Sequence, residues 1–112
     1  MAEITIPRQF RGPPVTANGG YISGVLAKAG GGQGSALLRS GVPLDTPVRL
    51  ETGEDGVVSA LGAEGQVLGL ARPGADDQIP APPPSPGVEQ ARAAAAASPF
   101  ATRSLHRGCF SC

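Results

Sequence analysis

Apolar positions along this chain change their period at a few well-marked points, and those points divide it into elements. Glu3-Ile4-Thr5-Ile6 alternates polar and apolar, which predicts a short first strand ended by Pro7. A loop over Arg8 to Ala17 follows, with Phe10 as its anchor. From Asn18 the period becomes helical. Ile22, Val25, Leu26 and Ala29 stand at i, i+3, i+4 and i+7, one apolar face of a helix over about 18–29. Asn18 is a favoured N-cap, because its side-chain oxygen can accept from an N–H of the first turn. Gly30-Gly31-Gly32 stops the helix. Gly20, Gly24 and Ala27 form a second, very small face. Such a face lets a helix backbone lie close to its neighbour, at a cost of about 1 kcal/mol per interior Gly.

Beyond the glycines the pattern becomes that of strands. Ala36-Leu37-Leu38 is a candidate strand, left loosely specified by Gly31-Gly32-Gln33-Gly34 before it. Over Pro47 to Thr52, Val48 and Leu50 share one face and Arg49 and Glu51 the other, a half-buried strand. Gly53-Glu54-Asp55-Gly56 is a turn by composition, and Val57 to Leu61 is the return strand. Gly62-Ala63-Glu64-Gly65 is a second turn before Gln66 to Ala71, where Leu68 and Leu70 share a face. Gly69 opposite them implies close backbone approach, over the central helix. These strands make an antiparallel meander over about 47–71, and the folded core is expected over 1–73.

The run Pro80 to Pro86 reads as an extended linker within 74–87, in preference to a polyproline recognition ligand. Val88 to Ala97 is helical by propensity, with Glu89 near its positive end and Ser98-Pro99 closing it. Its apolar bulk is small, so 88–98 is expected to be a weakly docked surface helix, followed by a cysteine-containing tail over 99–112.

Composition narrows the classes. With 112 residues the chain is one small domain with a modest core. Nine basic and nine acidic residues are spread along it, so no basic stripe offers nucleic acid a footprint. The 17 Gly and 12 Pro collect in loops and in the proline run, consistent with a folded body bearing a flexible tail. No apolar run approaches the ~20 residues of a membrane span, and Met1-Ala2-Glu3-Ile4 lacks the regions of a signal peptide. A cytoplasmic location away from membranes is the expectation.

The two cysteines, Cys109 and Cys112, make no disulfide framework and are expected as reduced, unpaired thiols. His106, Cys109 and Cys112 are zinc-type ligands, but a closed site needs about four. A redox Cys-x-x-Cys usually opens a helix after a strand, and this one does not. A small metal or redox module using these three residues stays as an alternative, and no metal or cofactor is expected otherwise.

Three segments, in order, carry a resemblance. Phe10, Gly12-Pro13, Asn18-Gly19-Gly20-Tyr21, Gly24 and Leu26-Ala27 look like the start of the hotdog-fold acyl-CoA thioesterase-like proteins. Val42-Pro43-Leu44-Asp45-Thr46-Pro47-Val48 resembles the P-V-P-L-D-T-P-L segment that leads into a strand of that family. Ser98-Pro99-Phe100 and Cys109-Phe110-Ser111-Cys112 resemble its H-P-F-P-x-C-F-x-C-G segment, with Ser98 in place of His and residues inserted before the cysteines. The resemblance implies an α+β hotdog fold, a curved antiparallel sheet wrapped around a central helix, here in a truncated or half version. Family members commonly continue into a second hotdog half. This chain is therefore expected to be a short version or a fragment, with an open sheet edge that a homodimer would cover.

The same resemblance implies a chemistry. In the family a backbone N–H at the start of this helix, typically of a Gly, polarises a thioester carbonyl. That maps to Gly19 or Gly20, with Asn18 orienting a water or carbonyl as well as capping, and with Pro13 and Tyr21 on the substrate. Orphan N–H groups and the helix dipole suit the oxyanion of thioester hydrolysis. The alternative is that Asn-Gly-Gly only starts a tightly packed helix. A general base is harder to find. Asp45 is sufficiently explained by an Asx turn, and Glu51, Glu54, Asp55 and Glu64 belong to turns or solvent faces. The expected protein binds or hydrolyses an acyl thioester such as an acyl-CoA. A non-catalytic hotdog protein for dimerisation or partner binding is the alternative.

Overall fold

In the computed structural model, which describes residues 2–12, 15–74, 79–103 and 108–109, one sheet carries one helix. The strands are β1 (Ala2–Ile4), β2 (Ser35–Leu38), β3 (Val48–Thr52), β4 (Val58–Leu61) and β5 (Val67–Arg72). The helices are α1 (Gly19–Ala29) and α2 (Val88–Ala97), with a short 3₁₀ turn at Arg8–Phe10. All strand pairs are antiparallel, in the order β1-β3-β4-β5-β2. The class is α+β.

The meander β3–β4–β5 follows from local signals. Period-2 patterning makes the strands, and the glycine turns close them: Gly53 N–H donates to Val57 O at 2.9 Å and Gly62 N–H to Gln66 O at 2.8 Å. Val48 and Leu50 are buried while Arg49 and Glu51 are exposed, as the alternation requires. A register shift at Ala60/Leu61 interrupts the β4–β5 ladder.

α1 packs on β2, β4 and β5. Ile22 and Leu26 are its buried residues and join Val48, Leu50, Val58, Ala60, Leu68 and Ala71 in the core. The expected small face of α1 is not what touches the sheet. Gly20 and Gly24 are exposed, and a Cβ at Gly24 would meet nothing within 4 Å. Ala29 is exposed too. Close approach is provided from the other side. Ala60, Gly69 and Ala71 lie under the helix, and a Cβ on Gly69 would stand 3.3 Å from Leu26 Cδ1 and 3.0 Å from Leu38 Cδ2. The large residues are on the helix and the small ones on the sheet.

β2 is better specified than its glycine-rich approach suggests. It pairs with β5 from Ser35↔Arg72 to Leu38↔Gly69. Gly34 makes the junction possible: its φ is +144° and a Cβ there would run into the Arg72 carbonyl oxygen. All four β2 residues are exposed, and the strand is one edge of the sheet.

Described residues 79–87 are exposed and carry no regular structure, and α2 has no buried residue. Its Glu89–Arg92 pair at 3.1 Å is solvent-facing. The Cα radius of gyration is 17.0 Å, against about 13 Å for a compact chain of about 100 residues. The proline run and α2 extend from the body, and the core lies between α1 and the sheet.

Candidate functional site

The start of α1 is built by two devices. The Asn18 side chain accepts from the Tyr21 N–H at 3.1 Å, and its carbonyl accepts from the Ile22 N–H at 3.0 Å. Its own N–H donates to Phe10 O at 2.9 Å, which fixes the loop before it. Phe10 and Tyr21 stack with ring centroids 4.1 Å apart and planes 9° from parallel. Phe10 is thus an anchor, and both rings are half-buried against the core.

Gly19 and Gly20, the first two helical residues, are exposed. Neither needs to be glycine for lack of space. A Cβ on Gly19 would lie 3.5 Å from Leu38 Cδ1, and one on Gly20 would lie 3.4 Å from Asn18 Oδ1. Pro13 lies outside the described residues. The structure thus brings Asn18, Gly19, Gly20 and Tyr21 together at one exposed helix start, with the dipole's positive end there.

The described hydrogen bonds tie no carboxylate to these residues. Asp45 does not make the expected Asx turn. Its backbone sits at φ +52°, and its carboxylate accepts from Arg8 N–H at 3.0 Å and Arg8 Nε at 3.1 Å. Glu51 pairs with Arg49 at 3.3 Å, and Asp55 accepts from Val57 N–H at 3.1 Å. A groove of about 370 Å³ lies elsewhere, lined by Glu51, Asp55, Ser59, Leu61 and Val67 among others. It does not include the helix start.

The contact that sequence reasoning missed comes from the far end of the chain. Asn18 Nδ2 donates to Cys109 Sγ at 3.6 Å, and Arg11 Nε donates to Gly108 O at 2.6 Å. Cys109 is disulfide-bonded, which overturns the expectation of reduced, unpaired thiols. His106 and Cys112 lie outside the described residues. Among the described residues no cluster of His, Cys, Asp and Glu could hold a metal ion. No local pattern signals a contact between positions 91 residues apart.

No family model, curated protein or solved structure matches this chain. No helix among the described residues is long and apolar enough to cross a membrane.

Proposed function

We propose that this chain is an acyl-thioester-binding protein of hotdog type, with the carbonyl of the thioester received at the start of α1. The observation that carries the reading is the pair Gly19-Gly20: two exposed residues opening a helix whose cap is already in place on Tyr21. N–H groups of a first turn have no partner within the helix and suit a carbonyl oxygen that gains negative charge. The order of elements supports the fold. A strand leads into one long helix, and four further strands complete an antiparallel sheet packed on that helix. Binding needs only these N–H groups, whereas hydrolysis needs a general base as well.

The test is the melting temperature with saturating acyl-CoA thioesters of several lengths, against CoA alone. At about 100 times the dissociation constant a ligand stabilises by about 2.7 kcal/mol, several degrees for a domain this size. A shift that requires the acyl group is expected. Gly19→Pro sharpens the test. Proline is favoured at the first helical position, and Asn18 already has the extended ψ of 132° that a following proline demands. The variant should fold, lose one N–H, and bind about tenfold more weakly. An unchanged shift in Gly19→Pro would remove that N–H from the reading, and no shift with any thioester would remove the function.

A homodimer paired along β2 belongs to the same proposal. Ser35-Ala36-Leu37-Leu38 is an edge strand with no charge to repel a second copy. Light scattering at micromolar concentration should give twice the chain mass, and Leu37→Lys should return it to the monomer. A clean monomer for the unmodified chain would refute the pairing.

A further inference from the structure

The backbone of the run from Pro80 to Pro86 is dictated residue by residue. Five of its seven positions are proline, which locks φ at about −65°. A residue before proline is pushed to an extended ψ, and Ile79, Ala81, Pro82, Pro83 and Ser85 all stand in that place. Gly87, which follows the run, has φ −68° and ψ 159°. These constraints specify a polyproline II helix, with about three residues per turn and a rise of about 3.1 Å per residue. Pro80, Pro83 and Pro86 then fall on one edge, about 9 Å apart. The fold leaves that edge open. Residues 79–87 are exposed throughout, and Ile79 keeps 71% of its surface. Among the described residues no hydrogen bond ties 79–86 to the sheet or to α1. The run is therefore no strap across the body. A linker joins packed bodies, yet α2, into which the run leads, has no buried residue. A preorganised extended segment that its own fold does not use suits a proline-recognition groove, because little conformational freedom is lost on docking.

We propose that Pro80 to Pro86 is a docking ligand for a partner protein with a groove of aromatic rings, and that the edge formed by Pro80, Pro83 and Pro86 enters between those rings. Proline rings offer flat apolar faces to aromatic side chains. The carbonyls of a polyproline II helix have no internal partner, so they accept from tryptophan or tyrosine donors lining the groove. Charge narrows the partner further. No residue of 79–88 is charged, and the nearest charges in the sequence, Asp77 and Glu89, are both negative. The rim of the complementary groove is basic.

The experiment titrates the full chain into a WW domain that pairs a tyrosine with a tryptophan in its proline groove and carries arginines at the rim. This chain has no tryptophan, so tryptophan fluorescence reports the groove alone. A saturable change with a dissociation constant below ~1 mM is expected. Pro83→Ala should weaken binding about tenfold. The run is exposed, so the melting temperature of that variant should match that of the unmodified chain, which separates lost docking from lost folding. The same domain with glutamates in place of its rim arginines should bind more weakly. No fluorescence change up to ~1 mM, a change that Pro83→Ala leaves untouched, or equal affinity for both forms of the domain overturns the proposal. No thioester enters the titration, so it fails or succeeds separately from the acyl-thioester reading.

Discussion

Replacing Leu26 by Ala is expected to lower stability by about 3 kcal/mol, within the range for deleting a buried leucine side chain. Leu26 is fully buried, and it is the residue of α1 that reaches down to Gly69 on β5. Leu26 sits in a core cluster with Ile22, Val58, Ala60, Leu68 and Ala71, whose mutual packing limits collapse onto the gap. The cavity therefore persists, and its cost adds to the lost transfer energy. At about 4–8 °C per kcal/mol for a domain of this size, the melting temperature should fall by more than ~10 °C. Thermal unfolding followed by circular dichroism reads this directly. A fall of under ~3 °C would mean that α1 is not seated on the sheet through Leu26.

Gly34→Ala should cost a similar amount by a different route. The residue holds φ +144°, a conformation that side chains rarely adopt, and the new methyl would meet the Arg72 carbonyl. That carbonyl belongs to the strand with which β2 pairs, so relief requires moving one strand end from the other. Strain of this kind costs about 1–3 kcal/mol, before any loss of the strand pairing itself. Amide hydrogen exchange distinguishes the outcomes. The β2 amides should lose protection while those of β3 and β4 keep theirs. Equal protection across all strands, with an unchanged melting temperature, would show that the junction yields without effort.

The two residues also mark how far the chain can be read without its fold. Leu26 is legible, because helical spacing with Ile22 assigns it to an apolar face and Asn18 marks where that face begins. The meander is legible for the same reason. Val48, Leu50 and the turns at Gly53 and Gly62 are signals between near neighbours, and short-range sterics and hydrogen bonding enforce them. Gly34 is different. Its neighbours in sequence suggest slack, and only the carbonyl of Arg72, 38 positions on, makes glycine obligatory.

The candidate site divides along the same line. Asn18, Gly19, Gly20 and Tyr21 are consecutive, so a capping residue followed by two glycines announces an exposed helix start. The partners of that start are not local. Asp45 is engaged by Arg8 across 37 positions, and the Cys109 sulfur reaches Asn18 across 91. The side of α1 that faces the sheet was equally hidden. Either its bulky stripe or its glycine stripe satisfies a helix, and the choice fell to the small residues of β4 and β5 opposite. Local propensity and period describe what each segment can be, whereas strand order, the burial of Ile22 and Leu26 and the seat of Cys109 depend on which distant surfaces complement one another in size and hydrogen bonding.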